Sequence, residues 1–190
     1  AQGDAGGRAM DAVLGMEGVH GTVAQLGRAP QEYATALDVA AMGRLRWVVV
    51  DTDAVASDAI RYLKENRLGR VTFLPLNKLR PLILSPLEAD PGVVGYAVDL
   101  LEFDPAFDRA FRVVFGATVV VDTLERARRM MGRYKMVTLD GDFVEKSGAM
   151  TGGSQGKKVR GFGVAVDDEI MRVRATLAGL EAEAGEIEAS

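Results

Sequence analysis

Apolar positions along this chain alternate between a helical spacing and short continuous runs. Tyr33, Ala36, Leu37, Ala40 and Ala41 recur at intervals that mark one helical face. Trp47 to Val50 is an unbroken apolar, β-branched run stopped by Asp51, which predicts a buried strand headed by a core tryptophan. Thr52 or Asp53 then offers an oxygen to the free N–H groups of the next helix. That helix turns Ala56, Ala59, Ile60 and Leu63 inward and Arg61, Lys64 and Glu65 outward. Gly69 ends it, and Val71 to Leu74 predicts another strand.

The same order returns further on. Asp104 and Pro105 suit a helix start, and Phe107, Ala110, Phe111 and Val114 give the helix a buried face. Val119-Val120-Val121-Asp122-Thr123 repeats Val48-Val49-Val50-Asp51-Thr52 at an offset of 122 − 51 = 71. Leu100 matches Leu26, and Phe107 matches Tyr33 at an offset of 107 − 33 = 74. Leu124, Ala127 and Met131 share the face of a further helix, and Met136 to Leu139 predicts its following strand. Between the two units stand Pro75, Pro81, Pro86 and Pro91, four of the chain's 6 prolines, so residues 77–92 read as a connection.

The fold class that follows is α/β, α+β in stricter terms, with two pseudo-symmetric subdomains and mixed sheets. The expected divisions are a tail and helical stub over 1–17, a first subdomain over 18–76, the linker, a second subdomain over 93–165 and a helix over 166–190. In that helix Ile170, Val173, Leu177, Leu180, Ala184 and Ile187 follow a heptad seam. Met10, Val13 and Leu14 give the N-terminal stub an apolar side, which fits an antiparallel partner for it.

Composition narrows the chemistry. The net charge is −4, which excludes an evenly basic surface but leaves room for a local basic patch. There is no cysteine and a single histidine, His20, so a thiolate nucleophile, a disulfide framework and a His-rich metal site are all excluded. No apolar run approaches the ~18 residues of a membrane span, and a cytoplasmic protein is expected. Asp51 and Asp122 lie at matched strand ends, a placement that fits helix capping better than catalysis. No catalytic residue, metal or cofactor is expected.

One stretch stands apart: Gly141-Asp142-Phe143-Val144-Glu145-Lys146-Ser147-Gly148-Ala149-Met150-Thr151-Gly152-Gly153-Ser154. Six residues separate its first two glycines, and three separate Gly148 from the Gly152-Gly153 pair. Glycine in a strand marks a bulge or a close approach of another backbone. A surface loop is one competing reading. A phosphate-binding loop is another, but counting back from Gly156 puts Thr151 where the first glycine of that motif belongs. Lys158 also stands where a magnesium-binding Ser or Thr belongs.

The spacing G-x6-G-x3-G-G-S resembles the signature of the hinge domain of SMC (structural maintenance of chromosomes) proteins, of prokaryotic type. Gly18-Val19-His20-Gly21-Thr22 and Leu68-Gly69-Arg70-Val71-Thr72-Phe73-Leu74-Pro75-Leu76 agree with it. The resemblance implies a homodimer formed by strand pairing between the first subdomain of one chain and the second of the other. Gly141, Gly148, Gly152, Gly153, Val71, Phe73 and Met150 would lie at that contact. It also implies long coiled-coil arms, distant ATPase heads, condensin-type non-SMC subunits bound elsewhere, nucleoid association, and weak, sequence-independent DNA binding. Lys157, Lys158, Arg160, Arg172 and Arg174 are the expected DNA contacts, with Arg126, Arg128, Arg129 and Arg133 as a second basic group. The alternative from another class is a small α/β enzyme that holds a phosphorylated ligand at the glycine stretch.

Overall fold

The computed structural model describes residues 5–154, 162, 173–182 and 184. Helix α1 (Ala5–Leu14) leads into strand β1 (Val19–Thr22), the short helix α2 (Val23–Leu26) and strand β2 (Gly27–Arg28). Helix α3 (Ala34–Ala40), strand β3 (Val48–Val50), helix α4 (Asp53–Glu65) and strand β4 (Phe73–Pro75) complete the first half. The second half runs β5 (Val93–Tyr96), β6 (Glu102–Phe103), α5 (Asp108–Phe115), β7 (Val119–Val121), α6 (Leu124–Arg129) and β8 (Met136–Thr138). Two more strands follow, β9 (Phe143–Val144) and β10 (Met150–Thr151).

The internal repeat seen in the letters is a repeat in space. The first sheet has the order β1-β3-β4, and the second opens with the same arrangement, β5-β7-β8. In both, the first strand is antiparallel to the second and the third is parallel to it. Even the irregularity recurs. β1 bulges between Val19 and Gly21, and β5 bulges between Val93 and Gly95, at an offset of 95 − 21 = 74. These bulges break the alternation of side chains, which is why neither strand announced itself in the sequence.

Strands β2 and β6 join the halves. They pair antiparallel, with Arg28 opposite Glu102. Those two positions are also repeat counterparts, since 102 − 28 = 74. An antiparallel pair has a local two-fold between its strands, so the pseudo-symmetry axis passes through this pairing. Around it lies one core shared by both halves: Leu37, Val49 and Leu74 from the first, and Phe111, Phe115 and Val119 to Val121 from the second. A smaller core fills the other face of the first sheet. There Ala9 and Val13 of α1 pack with Val48, Val50, Ala56, Ala59 and Leu63.

The caps fall where β-strand meets helix. Thr52 Oγ1 accepts from Val55 N–H and Thr123 Oγ1 from Arg126 N–H, each satisfying a free donor of the first turn. The preceding aspartates therefore do not cap these helices. Asp122 accepts from Thr123 N–H and lies 3.7 Å from Arg126, while Asp51 takes His20. Asp104 caps the turn before α5 as expected, through Ala106 N–H.

Three predicted core positions move outward. Ile60 is 40% exposed, and Leu124 and Met131 are each 38% exposed. On α4 the buried line runs through Ala56, Ala59 and Leu63, and a helix resting on one sheet covers a narrower arc than the spacing alone suggests. Helix α6 stops at Arg129, so Met131 lies beyond its last turn. Trp47 is half-buried, with the Arg44 guanidinium 5.1 Å above its ring. The linker lies against the protein: Leu79, Leu84 and Leu87 pack on the shared core, and Tyr96 Oη donates to Ser85 O at 2.7 Å. Burial raises the Tyr96 pKa above its ordinary value.

After β10 the chain returns to the shared core at Phe162, which is 2% exposed. Its ring lies 6.4 Å from Phe115, continuing a row that starts with Phe103 on Phe111 at 4.2 Å. Its N–H donates to Asp38 on α3 at 2.8 Å. A Cβ at Gly27 would come within 2.6 Å of Phe111 and 3.1 Å of Phe162, so glycine there keeps space for both rings. Truncating a fully buried phenylalanine costs about 3–5 kcal/mol. Phe162→Ala should lower stability by that order in urea unfolding. A loss below about 1 kcal/mol would mean that the ring is not part of the core.

Candidate functional site

Among the described residues the first sheet ends in β1 and β4 and the second in β5 and β10; β1 and β5 are repeat counterparts, whereas β4 and β10 are not. Their backbone register follows from the hydrogen bonds already made. Val48 N–H donates to Thr72 O, and Leu76 N–H donates to Val50 O. Thr72, Leu74 and Leu76 thus turn their backbone groups toward β3. By alternation Val71 and Phe73 turn theirs outward. Pro75 has no N–H, and its carbonyl already accepts from Lys78 and Leu79. The open part of this edge is therefore short, centred on Phe73. The side chains of Val71 and Phe73 are half-buried against the smaller core, so what they present outward is backbone.

Asn77 holds the end of this strand. Its amide donates to Asp53 Oδ1 at 2.8 Å, and its carbonyl accepts from Asp53 N–H at 2.9 Å. The amide lowers the Asp53 pKa below the ordinary carboxylate value, with Lys78 adding to the effect. Nearby, His20 meets Asp51 and its ring tilts against Phe107, 5.0 Å between centroids. Asp51 is 31 residues from His20 in sequence, so sequence spacing did not reveal this pair.

The glycine stretch builds the other edge. Gly141 N–H donates to Thr138 O, and Thr138 N–H donates to Asp142 O. Seven residues later, Gly148 N–H donates to Glu145 O, and Glu145 N–H donates to Ala149 O. These are two three-residue hairpin loops of one kind, each closed by a glycine at positive φ, +90° and +100°. The six-residue spacing between the glycines is thus the length of one short strand and its loop. Both N–H groups are spent inside the chain, so neither is free to cradle a phosphate.

Beyond the second loop, Met150 pairs with Val144 and Thr151 with Phe143. Ala149 and Thr151 turn their backbone groups toward β9, so Met150 and Gly152 turn theirs outward. Met150 is 47% exposed. Gly153 follows at φ +128°, a conformation that suits glycine, with open space where a side chain would project.

The expected DNA contacts divide differently. Lys157, Lys158, Arg160 and Arg172 lie outside the described residues. Arg174 is exposed on the helix at 173–182, as are Val173, Leu177 and Leu180. In the second basic group, Arg126 pairs with Asp90 at 2.8 Å, Arg128 with Glu125 at 2.9 Å and Arg133 with Glu88 at 3.8 Å. Among the described residues no group of His, Asp and Glu side chains could hold a metal ion, and no helix is long and apolar enough to cross a membrane.

The family model for the SMC proteins Flexible Hinge Domain matches residues 16–131. The chromosome partition protein Smc of Gloeobacter violaceus is 51% identical over 180 residues, 93% of this chain and 16% of that protein. The corresponding Synechococcus protein is 48% identical over 174 residues, 88% of this chain and 14% of its own length. This chain therefore spans about a sixth of such relatives. Among solved structures, an asymmetric dimer of the Geobacillus stearothermophilus SMC hinge domain superposes with a TM-score of 0.75 at 34% identity, covering 95% of this chain and 77% of that one. The Pyrococcus furiosus SMC hinge domain gives a TM-score of 0.67 at 40% identity, covering 80% and 85%. The repeated half, the glycine-closed hairpins and these likenesses place the chain in the SMC hinge-domain family.

Proposed function

We propose that this chain is the self-association module of a chromosome-partition Smc protein, and that β10 of one copy adds to the open β4 edge of another. The observation that carries the reading is the mismatch between the halves. Strand β8 is covered by β9 and β10, whereas its repeat counterpart β4 has no strand beyond it among the described residues. An uncovered edge is a template for a partner strand. In this pairing each copy gives β10 and receives at β4, so a two-fold dimer makes the contact twice. In the whole protein the dimer would join two arms, continuing from α1 and from the helix at 173–182, with ATPase heads at their far ends. For the phosphate-ligand alternative, the loop N–H groups at Gly141 and Gly148 are not available, because both are already bonded.

Light scattering over a dilution series should give twice the chain mass at concentrations on the order of 10 μM. A monomer there would sink the proposal.

Proline substitution tests which strand is used. Met150 turns its N–H outward, so Met150→Pro leaves the β9–β10 pairing intact but removes the donor a partner would use. Dimer dissociation should become at least about tenfold easier, with the thermal midpoint of the monomer little changed. Thr151→Pro, on the inward side, should instead disrupt the hairpin. Equal dimer affinity for Met150→Pro and the parent would place the contact elsewhere.

Weak DNA binding belongs to the same proposal. Arg126, Arg128 and Arg133 are engaged in ion pairs, and the proposed DNA contacts are Lys157, Lys158 and Arg160, with Arg172 and Arg174. A few phosphate contacts give a shallow slope of log K against log salt, on the order of −2 to −4. Replacing Lys157, Lys158 and Arg160 together by alanine should weaken binding and flatten that slope without changing the dimer mass. Identical titrations for the two proteins would refute this assignment.

A further inference from the structure

The two glycines of the Gly152-Gly153 pair occupy different environments. Gly153 has a positive φ and open space around it. Gly152 is the reverse: its φ lies outside the left-handed region, so its backbone suits any residue, but its Cβ position is filled. A methyl group there would run into Asp142 Oδ1 and stand 3.2 Å from Asp142 Cγ. The obstacle belongs to the same chain.

The main chain of Asp142 is fixed by two hydrogen bonds, and its carboxylate is held by a third. Its N–H donates to Thr138 Oγ1 at 3.0 Å, its carbonyl accepts from Thr138 N–H at 2.9 Å, and its Oδ2 accepts from Thr138 Oγ1 at 3.3 Å. Thr138 is itself buried, at 1% exposure. Through Oδ2 the carboxylate is hydrogen-bonded to β8, two strands away from β10, while its Oδ1 occupies the place of a side chain at Gly152. That position is the outward-facing one next after Met150 on the open edge.

We infer that Asp142 is a positioning residue for the β10 edge, and that glycine is required at 152 by this contact within the chain rather than by the approach of a partner. The carboxylate sets how close the end of β10 lies to the β8–β9 loop, and so fixes where Gly152 offers its backbone groups. This rests on the proposed use of β10 as the pairing strand, and the test separates the two ideas.

The test is a rescue. Gly152→Ala should weaken the dimer about tenfold or more, because an added methyl against a pinned neighbour forces the strand to shift. Asp142→Ala removes Oδ1 and Cγ and leaves a Cβ, which would sit 3.6 Å from a Cβ at 152, an ordinary contact. The double variant Asp142→Ala/Gly152→Ala should therefore dimerise like Asp142→Ala alone. Hydrogen exchange of the 143–151 amides gives a second reading on the same proteins. Gly152→Ala should speed exchange there, and the double variant should return it to the rate of Asp142→Ala. If the double variant stays as weak and as fast-exchanging as Gly152→Ala, the glycine answers to something other than Asp142 and the inference falls. Unchanged affinity and exchange in Gly152→Ala would overturn it as well. A monomeric parent protein would remove the dimer reading alone, and the exchange rates would still decide the role of Asp142.

Discussion

Backbone amides at a sheet edge must be paired or left to water, and among the described residues the third strand of the repeat is covered by further strands in one half only. After β8 the chain turns back twice and lays β9 and β10 beside it. After β4, at the same point of the repeat, the chain instead leaves along the linker toward the second half. The two halves of the duplicated architecture therefore end differently: the first in β4, the second in β10. Pro75 has no N–H and its own carbonyl is already bonded, so the open stretch of the β4 edge is short.

The rigidity that such an edge needs comes from below. The halves share one core across the β2–β6 pairing, so neither sheet can tilt without disturbing Phe111, Phe115 and Val49. Arg44 reaches across to Val114 O at 3.2 Å, and Arg109 reaches back to Leu76 O at 3.4 Å, just past the end of β4. Phe162 closes the same core after the chain has left β10, so the exit toward the C-terminal helix is anchored to α3 rather than to the edge itself. Of the apolar positions on α1, Ala9 and Val13 are spent on the first sheet.

The glycine spacing is best understood as a consequence of these short strands. Two hairpin loops of one type, seven residues apart, need glycine at their last position, and the strand between them has room for only four paired residues. The glycines that read as marks of intermolecular approach thus have work inside the chain first. Gly141 and Gly148 close loops, Gly152 clears Asp142, and Gly153 carries a positive φ.

What the sequence determined by itself was the repeat, the strand-to-helix order and the family. These depend on local periodicity and on letters that recur at fixed offsets, as in Val48 to Thr52 and Val119 to Thr123. It also marked the glycine stretch and the Thr52 and Asp104 caps, whose partners lie within three residues. Only the tertiary structure decided the rest. The bulged strands β1 and β5 lack alternation and became visible only through their pairing with β3 and β7. His20 with Asp51, Arg126 with Asp90 and Phe162 with Asp38 join residues 31, 36 and 124 positions apart, and no local pattern encodes such distances. Ile60 and Leu124 kept helical spacing yet face solvent, because periodicity gives the apolar side of a helix but not how wide a surface it meets. Which third strand gained further neighbours was likewise a matter of three dimensions: β4 and β8 are equivalent in the repeat, and among the described residues the path of the chain after each one distinguishes them.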